Sequence, residues 1–296
     1  DAIAALKPGA THGDIVKNHG ISVKLSAIHP RYEVAQKETM LPVLAERLLE
    51  LALAAREAGM GLNIDAEEQD RLDLSLDVIE TVLSDPRLAG WDGFGVAVQA
   101  YGPRAPFVLD WLYALAQKLD RRIMVRLVKG AYWDTEIKRA QVMGLDGYPV
   151  FTRKQNTDVS YIACARQLLG MTDRIYPQFA THNAHTAAAI LAMATDNQAF
   201  EFQRLHGMGE SLHEEIRKAE GTRCRIYAPV GAHSDLLAYL VRRLLENGAN
   251  SSFVHQIVDK TVSAEDVAHD PFVTVAEQGP AENPALPRPA DIFGVQ

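Results

Sequence analysis

The sequence predicts an α/β protein built on a parallel sheet, and three observations support this class. Seven short apolar runs alternate with segments whose apolar residues recur every three or four positions, the spacing typical of helices. The runs are rich in β-branched residues and carry few polar interruptions, as in strands covered on both faces. Regular alternation of strands and helices along one chain favours parallel pairing.

The predicted strands are Ile21–Ser26, Leu62–Asp65, Phe94–Tyr101, Ile123–Val128, Gln178–His182, Phe200–His206 and Arg225–Val230. The predicted helices are Met40–Gly59, Asp70–Leu83, Pro106–Leu119, Thr135–Gln141, Thr157–Leu169, His185–Ala194 and Ser234–Asn247. A closed (β/α)8 barrel needs eight strands. Seven strands therefore predict either an open sheet or a chain that lacks its first strand.

Composition limits the classes of function. The 296 residues carry 47% hydrophobic and 23% charged residues, which is ordinary for a soluble globular protein. The net charge of −8 argues against nucleic acid as a general partner. Only two cysteines occur, Cys164 and Cys224, too few for a disulfide framework. With no apolar run of membrane-spanning length, we expect a cytoplasmic chain.

The strand Ile123–Val128 is apolar except for Arg126, and Lys129, Gly130 and an aromatic pair follow it. An unpaired arginine inside such a strand would be very costly, so it should meet an anion, a ligand or a solvated cavity. The arrangement is typical of the lip of a site for a flat anionic ligand. The alternative is a structural arginine that pairs with an interior carboxylate.

Polar residues at the predicted strand ends are candidates for a site, because barrel enzymes place their working residues there. The candidates, with two arginines of the last helix, are Lys24, Asp65, Gln99, Arg126, Lys129, His182, His206, Tyr227, Arg242 and Arg243. The set is rich in cations and predicts an anionic ligand. Structural alternatives remain: Lys24 could bridge to Asp65, and the two helical arginines could pair with Glu246 on the surface. No metal site is predicted.

Six motifs together resemble one family, the proline dehydrogenase domain of bacterial proline utilization A. They occur in the family's order, over about Ile21–Ile257. The motifs are SVKLS at Ser22–Ser26, NIDAE at Asn63–Glu67, RLVKGAYW at Arg126–Trp133, FATHN at Phe179–Asn183, YAPVG at Tyr227–Gly231 and YLVRRLLE at Tyr239–Glu246. The resemblance implies a distorted (β/α)8 barrel of the TIM type, whose first strand is absent from this sequence.

The resemblance also implies roles for individual residues. Lys24, Arg242 and Arg243 match a clamp for the carboxylate of L-proline, and Asp65 matches a carboxylate that keeps the lysine placed. Residues that match the wall of the proline ring are Ala131, Tyr132, Leu205 and Tyr227. Positions that match FAD-binding residues are Gln99, Arg126, Val128, Lys129, Gly130, Ala131, Trp133, Thr181, His182, Asn183, Arg243 and Glu246.

The implied reaction is oxidation of L-proline to Δ1-pyrroline-5-carboxylate by hydride transfer from C5 of proline to N5 of the flavin. A quinone would receive the electrons, with peripheral membrane contact on reduction. Residues 1–260 are expected to form the catalytic domain. Residues 261–296 are expected to be a tail or linker towards an aldehyde dehydrogenase domain of a longer protein.

Two other functions remain open on the residues. One is a Schiff-base lyase that uses Lys24 or Lys129 as the nucleophile, which requires a lowered lysine pKa. Because Lys24 is predicted near Asp65, its pKa should move the other way. The other is a non-catalytic barrel fragment that does not retain its cofactor.

Overall fold

A computed structural model describes residues 1–231, 236–237, 239–241, 263 and 269–292. Its seven strands follow chain order in one sheet, and the pairings from β1 to β4 and from β5 to β7 are parallel. The strands are β1 Gly20–Val23, β2 Gly61–Ile64, β3 Phe94–Gln99, β4 Ile123–Val128, β5 Ile175–Ala180, β6 Glu201–Leu205 and β7 Arg223–Tyr227. The predicted α/β class with a parallel sheet of seven strands is confirmed. Whether an eighth strand precedes them stays a prediction.

Helices connect successive strands. Numbered over the described part of the chain, they are α1 Ala2–Leu6, α2 Leu25–Ile28, α3 Lys37–Glu57, α4 Leu72–Leu83, α5 Ala105–Lys118, α6 Trp133–Met143, α7 Lys154–Leu169, α8 Ala184–Met193, α9 Glu210–Glu220, α10 Pro271–Glu277 and α11 Pro289–Ile292. The helix α9 was not predicted, because its sequence, ESLHEEIRKAE, is mostly charged and polar. Only His213 of this helix is buried. The predicted helix Ser234–Asn247 lies largely outside the described residues.

The strand predictions were right in number and order, with shifts of up to three residues at the ends. Shifts of three residues occur at the end of β1, at the start of β5 and at the end of β7; in β5, Ile175, Tyr176 and Pro177 precede the predicted start at Gln178. The helix α6 begins at Trp133, two residues earlier than predicted, so the aromatic pair after β4 lies at a helix N-terminus. The candidate lip, residues 129–133, therefore continues directly into a helix.

The chain forms two compact units. The first comprises residues 1–177 and 280–296, and the second comprises residues 178–279. In the first unit, α3, α4 and α5 bury their apolar stripes, with Leu44, Val78 and Leu109 fully enclosed. In the second, the rings of Phe179, Phe200 and Phe202 pack together, with centroids 5.4–6.4 Å apart.

Candidate functional site

In the first unit, Arg126 of β4 is held by residues of β1 and of the segment just after β2. Its guanidinium donates to a carboxylate oxygen of Asp65, just after β2, at 2.8 Å, and to the hydroxyl of Ser22 on β1 at 2.9 Å. The Arg126 side chain is only 10% exposed. Both readings of this arginine therefore keep support: it pairs with an interior carboxylate, and it lies among the other candidate site residues.

Asp65 also faces a second cation. Its other carboxylate oxygen lies 3.6 Å from the ammonium of Lys24, and that ammonium donates to the hydroxyl of Tyr132 at 3.1 Å. The predicted bridge between Lys24 and Asp65 is thus present. We call Lys24, Asp65, Arg126 and Tyr132 the lysine–arginine cluster.

Burial alone would lower the pKa of Lys24, but attraction to Asp65 and contact with Tyr132 outweigh it, so the pKa is raised above its ordinary value. Lys24 is therefore a protonated cation at neutral pH. Its side chain is 40% exposed, which leaves the ammonium accessible to a ligand. Two cations around one carboxylate give this cluster a net positive charge suited to an anion.

The lip after β4 has the close packing that its glycine predicts. Gly130 has φ +146, and a Cβ atom there would lie 2.2 Å from the ring of Tyr101. The amide of Gln99 donates to the carbonyl of Glu67 at 2.8 Å and accepts from the backbone N–H of Ala131 at 3.2 Å. Gln99 therefore fixes the backbone of the lip, a role that its predicted place among cofactor-binding residues did not include.

Val128 before this glycine and Trp133 after it are also fixed by hydrogen bonds. The carbonyl of Val128 accepts from the N–H of Ala100 at 2.8 Å, which continues the pairing of β3 and β4. The indole N–H of Trp133 donates to the carbonyl of Phe151 at 2.8 Å, while its side chain remains 37% exposed. A partly exposed indole at a strand end is suited to contact a flat ligand.

Lys129 lies in an ion-pair network with α7. Its ammonium contacts a carboxylate oxygen of Asp158, and the other oxygen of that carboxylate lies 2.9 Å from the ammonium of Lys154. Burial lowers the pKa of Lys129 in spite of the attraction to Asp158. Burial alone would raise the pKa of Asp158, but the two lysines outweigh it and lower that pKa.

In the second unit, the sequence after β5 places three predicted residues at the start of α8. The backbone carbonyl of Thr181 lies 2.8 Å from Nε2 of His213, and its hydroxyl accepts from the N–H of Asn183 at 3.1 Å. The Asn183 side chain in turn accepts from the N–H of Thr186 at 2.8 Å, which caps α8. These contacts order the turn that carries His182.

His182 contacts the end of β6. Its Nε2 accepts a hydrogen bond from the backbone N–H of Leu205 at 3.0 Å, so this nitrogen is the unprotonated one. Leu205 pairs with Tyr227 across β6 and β7, so these two predicted wall residues lie side by side at their strand ends. The carbonyl of Tyr227 accepts from the N–H of His206 at 2.9 Å.

A second carboxylate centre in this unit was not predicted. Glu201 of β6 binds Arg225 of β7 through two contacts of 2.6 and 3.0 Å, and it accepts from the amides of Gln178 and Gln203 at 2.9 and 2.8 Å. We call these four residues the Glu201 cluster. Strand alternation could have suggested it, because Glu201 and Gln203 lie on one face of β6.

The structure thus brings together Lys24, Asp65, Arg126 and Tyr132 in one unit, and Thr181, His182, Asn183 and Leu205 in the other. The predicted residues Arg242, Arg243 and Glu246 lie outside the described residues. Sequence reasoning missed Ser22, Tyr101 and Asp158 as partners of predicted site residues. Asp158 had one available signal, since it lies four positions after Lys154 on a helix.

A family model for proline dehydrogenase matches residues 1–256. The chain belongs to the proline dehydrogenase family. It is 53% identical to the bifunctional protein PutA of Klebsiella aerogenes over 99% of its length, and it spans 23% of that relative. It is 30% identical to the proline dehydrogenase of Deinococcus radiodurans, over 83% of this chain and 71% of the relative.

Solved structures of proline dehydrogenase relatives have the same fold. A crystal structure of proline utilization A from Bradyrhizobium japonicum matches with a TM-score of 0.96 and 54% identity, over 99% of this chain and 30% of the other. The protein from Bdellovibrio bacteriovorus, inactivated by N-propargylglycine, matches with a TM-score of 0.85 and 32% identity, over 92% of this chain and 30% of the other. The resemblance stated from the motifs is confirmed.

Two further findings concern the described part of the chain. No group of three or more histidine, cysteine, aspartate or glutamate side chains there could hold a metal ion. None of its helices is both long and apolar enough to cross a membrane.

Proposed function

We propose that this chain oxidises L-proline to Δ1-pyrroline-5-carboxylate with FAD as its cofactor. The lysine–arginine cluster carries the proposal. Asp65 holds one cation that is accessible, Lys24, and one that is largely enclosed, Arg126. An amino acid offers a carboxylate for the first, and a reduced cofactor offers negative charge for the second.

The chemistry of the residues around Arg126 fits a flavin. The register partner of Arg126 on β3 is Ala97, and Gly95 lies two positions before it on the same face, so this strand places two small residues near Arg126. Within the described residues, the buried amide of Asn63, on the face that Asp65 shares, has no hydrogen-bond partner for either polar atom. Small residues and an available amide suit a polar aromatic ring system.

When bound, FAD would accept the hydride that leaves C5 of proline. The contribution of the chain is to bind and orient the substrate. Lys24, kept protonated by Asp65, would bind the proline carboxylate, and the predicted partners Arg242 and Arg243 would complete the clamp. Tyr132, which contacts the Lys24 ammonium, would limit where that carboxylate can lie.

Arg126 would place a fixed positive charge beside the cofactor. Because Asp65 and Ser22 already orient its guanidinium, the charge needs no rearrangement when electron density reaches the ring. The other predicted cofactor-binding residues would bind further parts of FAD: Gln99, Val128, Lys129, Gly130, Ala131, Trp133, Thr181, His182, Asn183, Arg243 and Glu246.

The chain spans 23% of several curated relatives named as bifunctional. We therefore propose that a linked aldehyde dehydrogenase domain oxidises the product further in the whole protein. A membrane quinone would accept the electrons through peripheral contact with an otherwise cytoplasmic protein.

The visible spectrum of the purified chain tests the proposal. We expect a flavin band that bleaches when L-proline, but not D-proline, is added without oxygen. A flavin band that survives L-proline would keep the cofactor and reject the substrate. A folded protein that takes up no FAD on reconstitution would reject the proposal in favour of a non-catalytic fragment.

One observation favours the lyase alternative. Burial lowers the pKa of Lys129, as a Schiff-base nucleophile requires, whereas the pKa of Lys24 is raised. The contact between Lys129 and Asp158 opposes this role, because it engages the ammonium. Borohydride reduction in the presence of a carbonyl substrate, followed by peptide mass spectrometry, would show a modified Lys129 if the lyase function is correct.

A further inference from the structure

The C-terminal residues 281–289 lie against the connection between α6 and α7 in the first unit. Four hydrogen bonds join them. The N–H of Asn283 donates to the hydroxyl of Thr152 at 2.8 Å. The carbonyls of Ala281, Glu282 and Pro287 accept from Asn156, Arg153 and Tyr148 at 2.8, 3.3 and 2.9 Å. We call residues 281–289 the C-terminal strap.

The strap also contributes to a small apolar core. Leu286 packs, together with Tyr148, against the buried side chains of Tyr101, Ile137 and Val150. This core joins three parts of the first unit: the residue after β3, the middle of α6, and the end of the α6–α7 connection. A segment that composition predicts to be a tail or linker therefore takes part in a defined core.

The same connection supports the lip of the candidate site. The N–H of Phe151 donates to the carbonyl of Tyr101 at 2.7 Å, and the carbonyl of Phe151 accepts from the indole of Trp133 at 2.8 Å. The ring of Tyr101 packs against Gly130, where a Cβ atom would lie 2.2 Å away. Tyr148 and Thr152, which bond to the strap, thus lie close in sequence to Phe151, and Phe151 bonds to Trp133 of the lip and to Tyr101.

The connection has no helix or strand of its own between Gly144 and Arg153. A segment without regular structure depends on outside contacts to stay ordered and opens at low free-energy cost when they are lost. The strap supplies hydrogen-bond partners for the side chains of Tyr148, Thr152 and Arg153, on both sides of Phe151, and so holds the segment at three points. Loss of the contacts made by the strap should therefore increase local unfolding of the connection around Phe151.

We propose that the C-terminal strap is a positioning segment of the site, which fixes Trp133 and Gly130 through Phe151 and Tyr101. Its relation to cofactor binding rests on the proposed flavin function, whereas its effect on the lip does not. The strap makes no contact with substrate or cofactor in this proposal. It restricts the lip to one conformation before a ligand arrives, which lowers the ordering cost of binding.

Two variants in the full chain remove strap contacts with little change of volume. Tyr148→Phe removes the hydroxyl that donates to Pro287 and also accepts from Gln141 of α6. Thr152→Val removes the acceptor of the Asn283 N–H and so tests the strap by itself. Tyr113→Phe is the matched control, because its hydroxyl donates to Asp173 at 3.1 Å on an exposed surface away from the strap.

Hydrogen exchange is the first readout, since it needs no cofactor. We expect amides in residues 129–153 to exchange about fivefold faster in Tyr148→Phe or Thr152→Val, as one lost hydrogen bond would predict, with the midpoint of urea unfolding little changed. The control should exchange like the parent protein. Unchanged exchange over residues 129–137 in both variants would overturn the proposal.

Titration of the apoprotein with FAD is the second readout. We expect the Kd for FAD to rise about fivefold in each variant while the KM for proline stays within about twofold. Faster exchange with an unchanged Kd would overturn the positioning role at the site. If the parent chain binds no flavin, the proposed function fails, and the exchange result alone decides whether the strap orders the lip.

Discussion

The carboxylates of Asp65 and Glu201 each bind an arginine of the sheet, and the surroundings of the two carboxylates differ. Glu201 has a side chain only 2% exposed, and it engages Arg225 and two glutamines. Asp65 is 16% exposed and divides its two oxygens between Arg126 and the accessible ammonium of Lys24. The first is a closed polar network, whereas the second keeps one of its cations open.

The difference separates a structural ion pair from one suited to binding. A closed network satisfies its buried groups internally, so it contributes to the specificity of the fold and leaves little for a ligand. An open cluster has already oriented its charges but has not neutralised Lys24, so an incoming carboxylate gains a prepared partner. Single substitutions at the two centres test this contrast.

Removing the charge of Glu201 should cost the most stability. In Glu201→Gln, Arg225 loses its bidentate partner in a nearly closed environment, and we expect the free energy of unfolding to fall by about 3 kcal/mol. Urea denaturation measures this change. The control Glu214→Gln removes an exposed pair with Lys218 and should leave the midpoint unchanged. A loss no larger than that of the control would contradict the closed character of the network.

Removing the charge of Asp65 should affect activity more than stability. In Asp65→Asn, both Arg126 and Lys24 lose their orienting partner, and we expect kcat/KM for L-proline to fall about 100-fold. Stopped-flow reduction of the flavin by proline measures this. The control Asp73→Asn, which removes an exposed pair with Arg104, should retain activity. Activity near the parent level in Asp65→Asn would assign the cluster a purely structural role.

Removing the cation of Lys24 should weaken substrate binding. We expect Lys24→Met to raise the KM for L-proline about 20-fold with a smaller change in kcat, because a charge-assisted hydrogen bond to the carboxylate is lost. Steady-state kinetics separate the two parameters. Lys118→Met, which removes a surface pair with Glu80, is the control. An unchanged KM would exclude Lys24 from the carboxylate clamp.

Removing the hydroxyl of Tyr132 should have a smaller effect of the same kind. Tyr132→Phe keeps the ring but loses the 3.1 Å contact with the Lys24 ammonium. We expect KM to rise about fivefold, as for one hydrogen bond. An effect as large as that of Lys24→Met would mean that the hydroxyl, and not the ammonium, binds the substrate directly.

The charge of Lys24 should make ligand binding depend only weakly on pH near neutrality. Since the pKa of Lys24 is raised above 10.5, its contribution to binding is fully present below that value and is lost as pH rises through the higher folded-state pKa. Binding of a cyclic carboxylic acid without an amine should therefore be flat from about pH 7 to pH 9 as far as Lys24 is concerned. In Asp65→Asn, one of the interactions that raise the pKa of Lys24 is lost, so the alkaline loss of binding should move to lower pH.

The local pattern of the sequence was sufficient for the order and number of strands, because most of the strands are short apolar runs between turn residues. It was sufficient for β4 with Arg126, and for the family, since six specific motifs occur in one order. It failed at α9, where few apolar residues mark the buried side of the helix.

The tertiary structure decided which polar residues meet. Ser22 and Arg126 lie on two strands and Asp65 directly follows a third, and no periodicity within any of them specifies that Asp65 is shared between Arg126 and Lys24. The same holds for the C-terminal strap, whose prolines and polar residues indicate a linker when read alone. Its contacts with Tyr148 and Thr152 span more than 120 residues of sequence. Such contacts depend on which surfaces the folded sheet brings within reach, and sequence-local propensity carries no information about that.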